Sequence, residues 1–152
     1  MAAHRMTRPA RGFSLVEVLV ALVVMAVGLL GIAGLYVEGL HAGRTAVYRG
    51  AAVTLAADMA DRIRANPAGS YAGSGPGADM GCVNGAADCS ASDLAADDWY
   101  RWLEDLRRRL PAGATAAIAR QDLAPVSEYV ITLSWPEVGQ EAPASYALAL
   151  QL

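Results

Sequence analysis

A carboxylate at the start of the most apolar segment of the chain is the first group that could do chemistry. Glu17 is followed by about 20 uncharged residues, Val18 to Val37, before Glu38 ends the run. A helix of that length measures about 30 Å, the thickness of the hydrocarbon core of a bilayer. An ionisable residue inside such a segment is costly and usually functional. Because a buried carboxylate requires a partner, we expect Glu17 to pair with a cation.

The two cysteines are the second group with chemical potential. Cys82 and Cys89 lie close together in the part of the chain that follows the apolar run. A zinc site would need further ligands, and the only histidines are His4 and His41. The spacing is not the C-x-x-C of a redox-active pair. In an oxidising compartment a short disulfide loop is favoured, so we predict a structural disulfide.

No other constellation of residues indicates catalysis or a cofactor. The sequence contains no nucleophile elbow, phosphate-binding loop or metal-ligand cluster. An acidic loop offers oxygen atoms that could bind calcium, but the EF-hand spacing with its closing glutamate is absent, so we predict no metal. Because none of the catalytic or phosphate-binding motifs is present, we also predict no cofactor and no enzyme activity. The oxygen-bearing residues of that loop are Asp79, Asn84, Asp88 and Asp93.

The residues before the apolar run form a short basic leader. Residues 1–12 contain three arginines and no acid, and either Met1 or Met6 could begin them. The positive-inside rule places this leader in the cytoplasm and the chain after Glu38 across the membrane. The arginines are Arg5, Arg8 and Arg11.

The junction between leader and apolar run resembles the class III signal of type IV prepilins and of the pseudopilins of type II secretion. It combines a basic leader, a glycine, a phenylalanine and a glutamate in the order Arg11-Gly12-Phe13-Ser14-Leu15-Val16-Glu17. The resemblance implies that a prepilin peptidase cleaves between Gly12 and Phe13 and that the new amino group of Phe13 is methylated. It also implies that Glu17 supports filament assembly, and the ammonium of a neighbouring subunit's Phe13 would be its partner.

Two simpler interpretations of this segment account for less. A secretory signal peptide has an apolar region of about 7–15 residues and a small-residue cleavage site, whereas this run is longer and has no such site. A plain single-pass anchor in which Glu17 extends to the headgroups explains the glutamate but not the whole junction.

Composition limits the remaining chain to one modest domain. The 152 residues contain 12 basic residues, all of them arginine, and the net charge is −3. Loss of the three leader arginines would take this charge to about −6. An acidic exterior argues against nucleic-acid binding.

The elements that position these residues follow from hydrophobic periodicity. We predict one long helix over residues 13–65, with a transmembrane segment at about 15–37 and a second half that packs on a head domain. Pro67 ends the helix. Six glycines on this helix favour either close helix packing or local unwinding in a filament. They are Gly28, Gly31, Gly34, Gly39, Gly43 and Gly50.

Residues 66–152 are predicted to form a periplasmic globular head. A loop holds the cysteines, and a helix over about 93–109 follows, with Ser92 as its N-cap and a 3-4 apolar stripe that includes Trp99 and Trp102. Asp97 and Asp98 near its start are expected to face solvent. Period-2 alternation predicts antiparallel strands at 114–121, 129–135 and 145–152. The predicted fold class is therefore α+β, a long helix on a small antiparallel sheet.

Several downstream motifs are similar to the PilV family of type IV pilus modification proteins, which are minor pilins. The resemblance implies a type IV pilin fold, partnership with other minor pilins and the major pilin, and a role in priming, biogenesis, twitching motility and adhesion. It also implies an inner-membrane location before assembly and a pilus-tip location afterwards. Minor pseudopilins of the I type and a periplasmic binding module that does not polymerise remain alternatives. The motifs are the segments 28–35, 57–67 and 131–135, the paired cysteines and the Trp helix that ends in Leu110-Pro111.

Overall fold

A computed structural model describes residues 12–85 and 88–152, so the leader residues 1–11 lie outside the described chain. The described residues form two compact units, which meet in sequence between Leu40 and His41. Its elements, in chain order, are α1 (Leu15–Ala65), a 3-10 turn (Cys82–Asn84), α2 (Ala91–Arg109), β1 (Thr115–Leu123), β2 (Val126–Trp135) and β3 (Ala144–Gln151).

The first unit contains the amino-terminal half of α1. The helix begins at Leu15, two residues after the predicted start, because Ser14 supplies its first acceptors. The Ser14 carbonyl accepts from the N–H of Val18 at 3.3 Å, and its hydroxyl accepts from the N–H of Val16 at 3.3 Å. The helix includes a window with a mean hydropathy of 2.8 and no buried residue, and it is long and apolar enough to cross a membrane.

In the second unit, α1 supplies one side of the hydrophobic core. Residues at helical spacing are buried, and the helix ends at Ala65, two residues before Pro67. The backbone N–H of Asn66 still bonds to the Arg62 carbonyl at 3.1 Å. The buried residues of α1 are Ala52, Leu55, Ala56, Met59, Ala60 and Ile63.

Helix α2 packs its tryptophan stripe into the same core. Trp99 and Trp102 make an edge-to-face pair with ring centroids 5.4 Å apart, and Leu106 is buried beside them in the core. The predicted N-cap at Ser92 is wrong, because Ser90 and Asp93 form a capping box that starts the helix at Ala91.

The three strands form one antiparallel sheet in the order β1-β2-β3. Ile131 of β2 pairs with Ile118 of β1 on one side and with Leu148 of β3 on the other. Alternate residues of β2 are buried, as period-2 packing requires. The strands occupy 115–123, 126–135 and 144–151, close to the predicted ranges. The long apolar helix and this sheet confirm the predicted α+β fold.

The loop between α1 and α2 packs against both the sheet and α2. Gly73 forms an isolated bridge with Ile118, which covers part of the outer edge of β1. Gly77 has φ of +73°, and a Cβ there would lie 2.5 Å from the Ala96 carbonyl oxygen and from the Tyr100 nitrogen. Only glycine permits this approach of the loop to α2.

Candidate functional site

The predicted processing junction lies at the start of the described chain. Gly12, Phe13 and Ser14 precede α1, and the Phe13 side chain is 83% exposed. The N–H of Glu17 donates to the Ser14 carbonyl at 3.0 Å, so Glu17 lies in the first turn of the helix. The structure thus places Glu17 about one turn after Phe13, with the Phe13 backbone outside the helix.

Glu17 is the acidic residue on an otherwise apolar helical surface. Among the described residues it makes no ion pair, and all the residues around it in the first unit are exposed. A carboxylate on such a surface is suited to bind a cation supplied by another molecule once the surface is covered. The glutamate that closes the apolar run, Glu38, is also exposed.

A cluster of charged and polar side chains joins α1, the following loop and α2. Asp98 accepts from the guanidinium of Arg62 at 2.8 Å and from the phenol of Tyr71 at 2.6 Å. Arg62 also pairs with Asp58 at 3.0 Å. The amide of Asn66 donates to the Tyr71 oxygen at 3.2 Å and to the Ala91 carbonyl at 2.8 Å. We call these five side chains, Asp58, Arg62, Asn66, Tyr71 and Asp98, the junction cluster.

Burial and charge both act on the pKa values of the junction cluster. Burial raises the pKa of Tyr71, and the hydrogen bond to Asp98 raises it further. Burial lowers the pKa of Arg62, but the hydrogen bond to Asp98 and the charge of Asp58 outweigh it and raise the pKa overall. The phenol is therefore a permanent donor and the guanidinium a permanent cation.

A second buried carboxylate secures the loop that leads to the disulfide. Asp97 is 0% exposed, and its Oδ1 accepts from the N–H groups of Met80 at 2.8 Å and Gly81 at 3.1 Å. Its Oδ2 accepts from Arg101 at 2.7 Å. Burial acts to raise the pKa of Asp97, but the bond from Arg101 and the backbone donors lower it overall.

The expectation that Asp97 and Asp98 face solvent is wrong. Asp97 is 0% exposed and Asp98 is 7% exposed. The carboxylates tolerate burial because each receives at least two hydrogen bonds, including one from an arginine. A signal was present in the sequence, since Asp98 lies four residues before Trp102 on the apolar stripe.

The cysteines form the disulfide that the sequence predicted. Cys82 and Cys89 have an S–S distance of 1.99 Å. Cys82 directly follows Gly81, whose N–H donates a hydrogen bond to Asp97. Two of the four oxygen-bearing residues that resemble calcium ligands have protein partners: Asp79 contacts Arg101 at 3.4 Å, and Asp93 caps α2. Among the described residues no three metal-ligating side chains converge.

Comparison with protein families agrees with this geometry. Residues 7–33 match the prokaryotic N-terminal methylation motif, and residues 34–100 match the type IV pilin Tt1218 family. No curated protein and no solved structure gives a significant match.

The long exposed apolar helix and the three-stranded antiparallel sheet are consistent with the α+β fold of type IV pilins. The two family matches support a type IV pilin, a structural protein of a family that interacts with other pilins and is processed by prepilin peptidase. Its apolar helix suggests anchoring in a membrane and incorporation into a pilus.

Proposed function

We propose that the chain is a minor pilin of the PilV type, which joins a priming and tip complex during type IV pilus assembly. In this role it supports pilus biogenesis, twitching motility and adhesion. The observation that carries the proposal is the junction itself: Gly12 and Phe13 precede an exposed apolar helix whose first turn holds Glu17. Before assembly the chain spans the inner membrane with a periplasmic head, residues 66–152, and afterwards it lies at the pilus tip.

Processing of the leader is the first step of this role. A prepilin peptidase cleaves the bond between Gly12 and Phe13, and the released amine of Phe13 is methylated. The exposed, non-helical backbone at these residues supports access to the bond. Mass spectrometry of the chain purified from membranes would test this, and a mature chain that begins at Phe13 with one added methyl group is expected. An intact leader in a peptidase-competent cell would contradict it.

Glu17 then guides the subunit into the filament. Its carboxylate pairs with the methylated ammonium of Phe13 in a neighbouring subunit, so that a buried charge gains a partner at each step of assembly. Glu17→Gln keeps the shape and removes the charge, and it should reduce incorporation into sheared pili while membrane levels stay normal. Glu38→Gln, at the other end of the apolar run, is the matched control. Equal incorporation of the two variants would exclude this role of Glu17.

A deletion strain separates the two filament systems. Loss of surface pili and twitching with intact secretion of type II substrates supports the minor pilin. Loss of secretion with normal pili would assign the chain to the I-type pseudopilins instead. Normal pili and normal secretion would favour a membrane-anchored binding module that does not polymerise.

A further inference from the structure

The arginines of residues 13–152 divide into two groups. Four of them have a carboxylate oxygen at 2.8 Å or less: Arg62, Arg64, Arg101 and Arg120. Of the other five, Arg108 contacts Glu104 and Asp105 only at 3.6 Å. The remaining four, Arg44, Arg49, Arg107 and Arg109, are exposed and make no ion pair within the described residues.

The contacts between α1 and α2 show where Arg107 and Arg109, at the carboxyl end of α2, lie. The indole N–H of Trp102 donates to the Leu55 carbonyl at 2.8 Å, and Arg62 bonds to Asp98 at 2.8 Å. Asp98 precedes Trp102, whereas Arg62 follows Leu55, so α2 runs antiparallel to this part of α1. The carboxyl end of α2, residues 107–109, therefore points toward the α1 residues that precede Leu55.

A second set of contacts leads to the same place. After α2 the chain turns at Gly113, where a Cβ would lie 3.7 Å from a ring carbon of Pro136. The next residue, Glu137, accepts a hydrogen bond from the hydroxyl of Thr45. Thr45 lies next to Arg44 and four residues before Arg49 on α1. The end of α2 and the first turns of α1 in this unit thus share one end of the head, the end at which the chain enters at His41.

We call Arg44, Arg49, Arg107 and Arg109 the basic end of the head. Three acidic groups lie near this end: Glu104 and Asp105 contact Arg108 at 3.6 Å, and Glu137 accepts a hydrogen bond from the neutral hydroxyl of Thr45 and keeps its charge. Glu141, in the loop between β2 and β3, is exposed. Although the full chain has a net charge of −3, the arginines that make no ion pair within the described residues are therefore concentrated at one end of the head.

We propose that the basic end binds anionic lipid headgroups while the subunit is anchored in the membrane. This rests on the membrane-anchored state of the proposed function, since the chain enters the head at His41 directly after the apolar segment. An arginine near an anionic bilayer strengthens binding about fivefold, and the effect decays within a Debye length of about 10 Å at 0.1 M salt. The contact holds the head on the bilayer and is broken when the subunit leaves for a filament.

The three tryptophans provide the measurement. Trp99, Trp102 and Trp135 are all buried in the head, and the sequence has no others. The full chain is reconstituted in nanodiscs of phosphatidylcholine alone or with phosphatidylglycerol, each with a dansyl-labelled lipid. Energy transfer from tryptophan to dansyl should be higher in the anionic discs, and about 1 M salt should remove the difference because the Debye length falls to about 3 Å.

Two double variants with the same charge change make the test specific. Arg107→Gln with Arg109→Gln should weaken docking about 25-fold by the same estimate and abolish most of the lipid-dependent transfer. Arg64→Gln with Arg120→Gln removes two exposed arginines outside the basic end and should leave it unchanged. Equal energy transfer in neutral and anionic discs would overturn the proposal, and so would equal losses of energy transfer in the two double variants. Either result would do so even if pili form normally. Unchanged transfer in the first variant with reduced co-purification of other pilins would also overturn it, in favour of an acidic protein partner.

Discussion

The phenol of Tyr71 donates a hydrogen bond of 2.6 Å to Oδ2 of Asp98, and both side chains are buried. Because Oδ1 of the same carboxylate accepts from Arg62, one aspartate connects the end of α1, the following loop and α2. The indole N–H of Trp99 adds a bond to the Tyr71 carbonyl at 3.0 Å. The junction cluster therefore holds α1, the following loop and α2 together. The same loop covers part of the edge of β1 through Gly73.

Tyr71→Phe should lower the free energy of unfolding by about 1–3 kcal/mol, because it leaves one buried oxygen of Asp98 and the amide of Asn66 each short of a partner. Tyr100→Phe is the matched control, since Tyr100 lies half-buried on α2 and its hydroxyl makes no hydrogen bond among the described residues. Urea unfolding of the full chain in detergent, followed by tryptophan fluorescence, measures both. Equal effects of the two substitutions would show that the buried hydrogen bond contributes nothing.

The helices and strands were predictable because their apolar spacing is a local signal. The Trp99 and Trp102 stripe and the alternation through Ile131 each show which face of the element is buried, and the structure places both faces in one core. The predicted start of α2 differs from the observed start by two residues, because Ser90 and Ser92 are both possible N-caps. Only Ser90 has an aspartate three residues later, which completes the capping box.

The spacing of Asp98 from Trp102 indicates its face of α2, but the partners within the junction cluster were not predictable from local patterns. Asp98 obtains its partners from Arg62 and Tyr71, which lie 36 and 27 residues earlier in the chain. Acidic residues in the first turns of a helix normally favour the macrodipole and remain in solvent, so the local rule predicted exposure. Burial of Asp97 likewise depends on backbone N–H groups of the preceding loop, whose positions no residue type encodes.

The carboxylate of Asp97 should make the stability of the head pH-dependent. Its pKa is below the ordinary value of 3.8 in the folded chain, so its contribution is complete above about pH 4 and is lost as the pH falls through the folded pKa. Asp97→Asn should therefore cost about 1–3 kcal/mol near pH 7 and progressively less in more acidic solution. Asp61→Asn, at an exposed surface pair, is the control and should cost little. A wild-type advantage that grows on acidification would contradict this sign.

Removal of the disulfide should destabilise the head by about 2.5 kcal/mol or less, according to the chain-entropy estimate for so short a loop. The double change Cys82→Ser and Cys89→Ser tests it in the full chain. Because Gly81 both precedes Cys82 and donates to Asp97, the loss should overlap with that of Asp97→Asn. The triple variant is expected to be more stable than the sum of the two losses predicts. Strict additivity would mean that the disulfide and the carboxylate act independently.

Two equally buried tryptophans differ in one hydrogen bond and so allow its contribution to be measured. Trp102 is 0% exposed and its N–H donates to Leu55, whereas Trp135 is 1% exposed and its N–H has no partner among the described residues. Replacement by phenylalanine removes similar volume at both positions but loses a hydrogen bond only at 102. Trp102→Phe should therefore cost about 1 kcal/mol more than Trp135→Phe in urea unfolding followed by circular dichroism. If Trp135→Phe lowered the free energy of unfolding more than Trp102→Phe does, the prediction would be contradicted, because the indole N–H of Trp135 would then have a hydrogen-bond partner.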